Sequence, residues 1–475
     1  MKLYESIAQQ TIKEIKTGRL PVGTRLPALR VLAKQQAVSM STATNAYRYL
    51  EETGWIYSQP QSGFYVSNMH TTCEQPLMQK FKGRSRDPKA FAPALGYSPT
   101  VDFFSPLGTS MIAPQLLPTI ELQRSIKRIT SRSHHTLFDY PVQQGNPILR
   151  KSLSNHFRGD HFHFRGDDLV ITNGCIDAIR IAIEVVSDVG DSIAISSPCF
   201  SGLLDLLATL SRKTIEIPSN EKGLDLDRLE QLMKNNQIKA GLFNTTHMNP
   251  SGTSLSKDQK IRLAELANQY SIPIIEDDVY IELSHQGKPP LPVKYWDKNG
   301  YVLWCGSVSK TLAAGLRIGW CLPGRYLETY AKQHQLTGLG VNGLMQACVA
   351  EFINTGEYRS HVNKTRMTLT KHVYDYRQFL IQNLPSNARV SVPEGGIVLW
   401  VQIPELDASR LEQAARNNMI DIRSGSNFST HKFYKDCFRV NFGWPLDQEQ
   451  EDSNDTNVAL QQLTKLCHMA DKYIN

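Results

Sequence analysis

Short apolar runs recur along the larger part of the chain, and each is followed by a segment with helical character. Five of them, from about residue 101 onward, read DLVIT, DSIAISS, IKAGLFNT, IPIIED and GYVLWCGS. Runs of this length that alternate with helices are typical of parallel strands in a layered α/β fold. Because ligands in such folds gather at the carboxyl ends of the strands, we expect a binding site there.

The chain has 475 residues, which is too long for one compact core, so we expect two or three cores. Its 41% apolar and 20% charged residues are typical of a globular protein. We expect no membrane span, because no apolar run reaches about 18 residues, and no signal peptide, because the first residues are too charged. The cysteines form no Cys-x-x-Cys pair, so we predict no metal site and a reduced, cytoplasmic location.

The positive charge is confined to one end of the chain. Residues 1–67 carry eight Lys or Arg and four Glu, and residues 68–100 carry five basic and two acidic residues. These two stretches account for the whole net charge of +7, so the remaining 375 residues are neutral overall. An excess of positive charge at one end indicates a polyanionic partner for that end.

The first 67 residues contain the signals of three helices and a hairpin. Apolar residues at helical spacing mark the first helix, at Ile7, Ala8, Ile12 and Ile15. A second, short helix follows Leu26-Pro27, and Ser39 or Ser41 can cap a third that runs to about Thr53. The segments WIY and FYV predict two strands joined through QSG. This order predicts a winged helix-turn-helix whose third helix lies in the major groove of DNA.

This region resembles the GntR family, whose members carry LPSxRxLA, then S-x-x-TV-x-x-AY-x-x-L, and then a GSG-type wing. The corresponding segments here are LPALRVLA, SMSTATNAYRYLEETGW and QSGFYV. The resemblance implies that five residues face double-stranded DNA. They are Arg30, then Ser39, Ser41 and Thr42 at the start of the third helix, and Gly63 in the wing. Asn45 and Arg48 lie farther along the same helix. Met40 stands where many members have arginine, so we expect no strong guanine readout from that position.

A second interpretation of this domain is a winged helix that contacts proteins and leaves its Arg and Ser side chains solvated. After it, residues 68–100 are polar, basic and interrupted by Pro and Gly, without a sustained period. We therefore predict a flexible basic linker that lets the N-terminal domain lie against either subunit of a dimer.

Polar residues follow the predicted strands of residues 101–475, as expected for a site at their carboxyl ends. The turn ITNGCIDAI opens a helix whose N–H groups near Gly174, Cys175 and Ile176 could hold a phosphate. The other signals are Ser-Pro-Cys-Phe200, Asn249-Pro-Ser-Gly, Asp277-Asp-Val-Tyr280, Gly-Ser307-Val-Ser309-Lys310, Arg317-Ile-Gly and Phe-Arg439-Val-Asn.

In this order and spacing the signals resemble the fold type I aminotransferase family over most of residues 101–475, a fold with large and small domains that binds pyridoxal 5′-phosphate (PLP). The resemblance implies that Lys310, as the catalytic residue, supplies the amine that binds the PLP aldehyde covalently. Asp277 would pair with the pyridine nitrogen and keep it protonated. Asn249 and Tyr280 would donate hydrogen bonds to the phenolate oxygen of the ring.

The same resemblance assigns the rest of the site. Phosphate would be neutralised by the Gly174 turn and by three side chains, those of Ser307, Ser309 and Arg317. Phe200 would stack on the ring, and Arg439 would receive the carboxylate of an amino acid. Tyr140, in FDYPVQQGNPILR, matches a family tyrosine that reaches the phosphate of the other subunit, which implies a homodimer with shared sites.

The fusion of the two regions resembles the MocR subfamily of GntR regulators, in which PLP, or PLP with an amino compound, acts as effector. The resemblance implies a dimeric transcription regulator whose operator affinity changes with the ligand. The alternative is a working aminotransferase with an accessory DNA-binding domain, because every catalytic residue type is present. A third interpretation is a PLP enzyme whose N-terminal domain contacts only proteins.

Overall fold

A computed structural model gives the fold and describes residues 3–16, 19–21, 23–59, 63–67, 75–77, 81, 85–86, 105–132, 137, 139–220, 223–285, 288–446 and 458–474. The helices are α1 (Leu3–Lys16), α2 (Leu29–Gln35), α3 (Met40–Glu52), α4 (Thr119–Arg132), α5 (Pro147–Arg158), α6 (Cys175–Val186), α7 (Ser201–Thr209), α8 (Leu226–Lys234), α9 (Lys257–Tyr270), α10 (Leu327–Gly338), α11 (Gly343–Asn354), α12 (Glu357–Asn383), α13 (Ala408–Asn417) and α14 (Val458–Ala470). The strands are β1 (Ile56–Gln59), β2 (Gly63–Val66), β3 (Val170–Thr172), β4 (Ser192–Ser197), β5 (Lys213–Asn220), β6 (Gly223–Leu224), β7 (Ala240–Asn244), β8 (Ile274–Asp277), β9 (Val302–Ser307), β10 (Gly319–Leu322), β11 (Arg389–Val390), β12 (Val398–Gln402), β13 (Arg423–Ser424) and β14 (Cys437–Asn441).

The N-terminal domain is the predicted winged helix-turn-helix. Its helices α1, α2 and α3 bury the apolar faces that the sequence pattern predicted, and β1 and β2 form an antiparallel hairpin. Ser39 caps α3, because its Oγ accepts a hydrogen bond from the backbone N–H of Thr42 at 3.1 Å. Ser41 lies within the helix. Trp55, predicted as the first residue of the hairpin, precedes β1 and instead fills the core of this domain.

The second region is built on an eight-stranded sheet of order β3-β10-β9-β8-β7-β4-β5-β6. The five predicted runs are β3, β4, β7, β8 and β9, and the last four of these, with β5, are parallel. Two further strands that were not among the predicted runs are antiparallel: β10 to both β3 and β9, and β6 to β5. The sheet is therefore mixed.

Successive residues of the central strands are buried on opposite faces of this sheet. Ile275 and Leu303 pack with α6, α7 and α10 on one face. Ile274 and Val302 pack with α8 and α9 on the other, which gives three layers. Strands buried on both faces need apolar residues throughout, which explains why they read as continuous apolar runs.

A second sheet, of order β11-β12-β14-β13, is antiparallel throughout. It packs with α12, α13 and α14 around a separate core and forms the smaller domain. Arg439 lies in the middle of β14, directly opposite Arg423 of β13. Neither the 27-residue α12 nor any other helix of the described residues is long and apolar enough to cross a membrane.

Candidate functional site

A cavity of about 340 Å³ lies at the carboxyl ends of β7, β8 and β9. Of the residues predicted to bind the cofactor or a carboxylate, all but Gly174 and Tyr140 line this cavity. The lining residues are Cys175, Ile176, Phe200, Asn249, Asp277, Tyr280, Ser307, Ser309, Lys310, Arg317 and Arg439. Residues separated by more than 260 positions in the chain thus meet in one pocket, as expected at the carboxyl edge of parallel strands.

Lys310 follows β9 by three residues and presents its amine to the cavity. Its Nζ donates a hydrogen bond to the carbonyl oxygen of Ser110 at 2.5 Å. Enclosure by protein, with a smaller contribution from the Arg439 guanidinium, lowers the pKa of Lys310 to about 8. A larger fraction of this amine is therefore neutral, and hence nucleophilic, near physiological pH than of an exposed lysine.

Asp277 is the last residue of β8 and is buried. The Cys175 thiol donates to its Oδ1 at 3.4 Å, and the Asn244 side chain donates to its backbone carbonyl at 2.8 Å. Burial raises the pKa of Asp277 to about 6, and within the described residues no basic side chain pairs with its carboxylate. A buried carboxylate of this kind fits a cationic ligand group such as a protonated ring nitrogen.

Arg439, Asn249 and Tyr280 form a buried hydrogen-bonded group that also lines the cavity. Arg439 Nη1 donates to Asn249 Oδ1 at 3.0 Å, and Asn249 Nδ2 donates to the Tyr280 hydroxyl at 3.4 Å. Arg439 Nη2 donates to the carbonyl of Gly108, whereas its buried Nε has no acceptor among the described residues. Burial lowers the pKa of Arg439 to about 10. An orphaned donor on a buried cation fits an anionic ligand such as a carboxylate.

The anion-binding end of the cavity is built around the first turn of α6. Gly174 precedes this helix with φ at +89°, and a Cβ atom there would lie 2.4 Å from Arg317 Nη2. Arg317 Nη2 donates to the carbonyl of Asn173 at 2.9 Å, so the guanidinium is held beside the free N–H groups of the helix. The Ser307 hydroxyl accepts from the backbone N–H of Ser309 at 3.3 Å. Helix end, guanidinium and two hydroxyls form a set of groups suited to phosphate.

These groups together fit PLP in kind and in number. The cavity offers an amine of lowered pKa, a buried carboxylate, a set of phosphate-binding groups and a buried arginine. Phe200 lies at the cavity wall, where its ring can contact a flat heterocycle.

Several cavity residues were not predicted from the sequence. Residues 108–111 contribute two backbone carbonyls, and Asn244 and Arg423 contribute side chains. Arg423 Nη1 is held by the carboxylate of Asp421. The segment 108–111 has no periodic pattern. It acts through the carbonyl oxygens of Gly108 and Ser110 and through the Ser110 hydroxyl, which accepts a hydrogen bond from Asn249 Nδ2 at 3.3 Å.

Tyr140 lies outside the cavity, with 87% of its surface exposed. Its assignment to the site of a second subunit stays a prediction.

The predicted DNA-binding residues lie on the surface of the N-terminal domain. Most of these side chains are exposed: Arg30 on α2, Ser39 and Ser41 at the start of α3, and Asn45 and Arg48 farther along α3. Thr42 is half-buried. Gly63 begins β2 with φ at +107°. The exposed Arg25, which is not among the predicted DNA-binding residues, lies beside it, since a Cβ on Gly63 would be 3.6 Å from Arg25 Nε. In the sequence, Arg25 is distinguished only by its positive charge and its position directly before Leu26-Pro27.

Some positions of the predicted linker contact the second region. The backbone N–H of Leu77 donates to Gln402 Oε1 at 2.6 Å, and Arg86 Nη1 donates to the carbonyl of Thr430 at 2.7 Å.

Comparison with known proteins divides the chain as the fold does. Residues 3–66 match the gntR family of bacterial regulatory proteins, and residues 114–451 match aminotransferase class I and II. The HTH-type transcriptional regulator YdcR of Escherichia coli is 30% identical over 98% of this chain and 99% of its own length. The HTH-type transcriptional regulator YjiR of the same organism is 29% identical over 94% of this chain and 96% of its own length.

Among solved structures, the kynurenine aminotransferase of Pyrococcus horikoshii superposes with a TM-score of 0.71 over 81% of this chain and 94% of its own, at 24% identity. At that identity the likeness concerns the fold, and it covers the region from the α/β layers to the smaller domain.

Proposed function

The chain belongs to the aminotransferase class I and II family and joins that domain to a gntR-family helix-turn-helix, and from this premise we propose that PLP controls its binding to DNA. It is a GntR-type regulator fused to an aminotransferase-like domain, so the N-terminal domain would bind DNA and the second region would bind the ligand. We propose a homodimer that binds PLP, or PLP with an amino compound, and alters operator affinity in response. A cytoplasmic location follows from a DNA target.

The observation that carries the proposal is the presence of two buried ionisable groups, an amine and a carboxylate, in the same cavity. Lys310 has an amine of lowered pKa, and Asp277 has a carboxylate without a basic partner among the described residues. Leaving such groups buried without a ligand costs free energy, so their presence in one cavity supports a ligand that uses both.

PLP bound here would supply an aldehyde for amino groups and an electron-accepting ring. Lys310 would hold the cofactor, and Asp277 would hold the proton on its ring nitrogen. Arg317, Ser307, Ser309 and the first turn of α6 would bind the phosphate. Arg439 would orient the carboxylate of an incoming amino compound beside Asn249.

Regulation requires only that ligand-free and ligand-bound forms differ in how they present the two DNA-reading domains. A ligand that favours one arrangement changes operator affinity by the same free energy, because binding equilibria are linked.

The test measures binding to the DNA upstream of the gene itself, with and without PLP, at several salt concentrations. Wild-type protein should bind this DNA with a salt-dependent affinity that PLP changes. Lys310→Ala should lose the absorption band of the covalently held cofactor and the PLP effect, while its affinity without PLP stays close to wild type. Arg30→Ala should bind PLP normally but weaken DNA binding by roughly tenfold, equivalent to about 1.4 kcal/mol.

An outcome in which PLP binds without changing DNA affinity would overturn the regulatory proposal. The complete set of groups around Arg439 favours aminotransferase activity as the second candidate function. Incubation with amino acids and keto acids distinguishes the two, because an enzyme converts many equivalents rapidly whereas a sensor does not.

A further inference from the structure

Arg86 fastens the linker to the surface of the second region through both its side chain and its backbone. Its Nη1 donates to the carbonyl of Thr430 at 2.7 Å and contacts Nδ1 of His431 at 3.3 Å. Its backbone exchanges two hydrogen bonds with Thr214 of β5, at 3.0 and 3.3 Å. Five residues earlier, the Phe81 ring packs 4.7 Å from that of Phe433. This part of the linker is therefore seated in a defined place.

The segment that binds Arg86 also packs against Arg439, a residue that lines the candidate cofactor site. Phe428, two residues before Thr430, places its ring 5.3 Å from the guanidinium carbon of Arg439. Its carbonyl accepts from the backbone N–H of Cys199 at 2.8 Å, next to Phe200. Three consecutive residues thus contact the carboxylate-binding arginine at one end and the linker at the other.

The carboxylate of Glu216 binds residues 429 and 430 of this segment. The carboxylate is buried and accepts hydrogen bonds from Thr430 N–H at 2.6 Å, Thr430 Oγ1 at 2.7 Å and Ser429 Oγ at 2.9 Å. It also accepts from Ser197 at the end of β4, three residues before Phe200. A buried carboxylate with this many donors resists local distortion, so residues 428–430 are expected to move as a unit.

The same strand ties the carboxylate to the linker. Glu216 and Thr214 are both in β5, and Thr214 is the residue whose backbone pairs with Arg86. The two residues that bind Arg86, Thr430 and Thr214, are therefore joined to one another through Glu216, so a shift of residues 428–430 reaches Arg86 through this set of hydrogen bonds.

We propose that Arg86 is the residue through which the linker responds to occupation of Arg439, an inference that rests on the proposed function. A carboxylate arriving at Arg439 changes the contact of that guanidinium with Phe428. The shift passes through Ser429 to the Thr430 carbonyl, and it changes how firmly Arg86 is held. The linker, and with it the DNA-reading domain, then has two states whose balance the ligand sets.

The probe for this role is N-(5′-phosphopyridoxyl)-L-alanine, which carries the phosphate, the ring and a carboxylate in one stable molecule. Its effect on the affinity for the upstream DNA is compared in wild type, Arg86→Gln and Lys89→Gln. Both variants lose one positive charge from the linker, so any general loss of phosphate attraction is the same in each. Hydrogen exchange at the amides of Arg86 and Thr214 is followed in parallel.

In the wild type and in Lys89→Gln we expect the probe to change the DNA affinity by about five- to 150-fold, the usual range for coupled sites. In Arg86→Gln the change should fall to roughly twofold or less, while the affinity for the probe itself stays near wild type. Exchange at the two amides should respond to the probe in the wild type. PLP alone, which has no such carboxylate, should affect both readouts less.

The role of Arg86 would be overturned if the probe changed the DNA affinity of Arg86→Gln as much as that of the wild type, or if it left exchange at the two amides unchanged. Either result would leave the proposed function intact. Failure of the wild-type protein to bind the probe, or binding that leaves DNA affinity unchanged, would overturn both.

Discussion

Lys310 and Asp277 have pKa values moved toward neutrality from opposite sides, to about 8 and about 6. Burial is the main cause in both cases, because each loses the hydration of its charged form without gaining a direct ion pair. The cavity thus keeps an amine that is readily deprotonated and a carboxylate that is ready to accept a cation.

The lowered pKa of Lys310 predicts the pH dependence of cofactor capture. Only the neutral amine attacks an aldehyde, so the rate of PLP binding by the cofactor-free protein should rise through pH 8 and level off above it. An exposed lysine, with a pKa of about 10.4, would still be rising steeply at pH 9.5. Stopped-flow absorbance between pH 6 and about 10 measures the rate. Lys310→Ala reports the background from surface lysines, and a wild-type rate without a plateau would contradict the assigned pKa.

At the residue scale, the sequence predicted the groups whose chemistry is distinctive and missed those that act through the backbone. Lys310, Asp277 and Arg439 stand in recognisable motifs at strand ends, and the structure brings them together in one cavity. Gly108 and Ser110 each contribute a carbonyl oxygen, which every residue possesses, and the Ser110 hydroxyl that accepts from Asn249 belongs to no motif. Arg86 was read only as one charge among several in a basic linker.

Among the elements, the start of α6 depends on one residue with a positive φ and an extended ψ, a conformation essentially confined to glycine. Gly174 has φ at +89° and lies so close to Arg317 that any side chain would displace the guanidinium. The turn therefore fixes both the helix N–H groups and the arginine at the phosphate end of the site.

Gly174→Ala should weaken PLP binding by at least roughly tenfold, because the new methyl group forces Arg317 away and strains the turn by about 1–3 kcal/mol. Gly190→Ala is the matched control, since Gly190 has φ at +87° and no atom near its Cβ position. The control should lose similar stability but keep its PLP affinity. Thermal unfolding and absorbance titration measure the two quantities, and equal PLP affinities for both variants would contradict this role of the turn.

Elements were predictable where their pattern is local. Ser39 and the apolar period identified α3, and five apolar runs identified the central strands. The antiparallel β10 was not assigned, because its four residues look like those of a parallel strand and its direction depends on tertiary pairing. Strands β11 and β13 have two residues each, too few for any period, so the smaller sheet could not be derived from the sequence.

At the scale of the whole molecule, the exposed Tyr140 bears on the proposed dimer. A tyrosine with 87% of its surface exposed contributes nothing to the cavity of its own chain, so any contribution to PLP binding must come from contact with another chain.

Tyr140→Ala should therefore weaken PLP binding, and mixing it with Lys310→Ala should restore tight sites that neither variant has alone. In a hybrid dimer, one site combines an intact Lys310 with the Tyr140 of the other chain. Absorbance titration after subunit exchange counts the restored sites. A mixture of Lys310→Ala with Asp277→Ala is the control, because both residues belong to the same cavity and no hybrid site is intact. Equal results for the two mixtures would place Tyr140 outside the site.

The contacts of the linker also set how far the N-terminal domain can move. Nine residues separate Ser67 from Leu77, whose N–H is bound to Gln402, whereas 37 separate Ser67 from Ser105. At about 3.3–3.6 Å per residue, the maximum contour length is about 30 Å with Leu77 and Arg86 both held and about 125 Å with both released. Since successive turns of DNA are about 34–36 Å apart, these two contacts together decide how many helical turns a pair of such linkers can bridge.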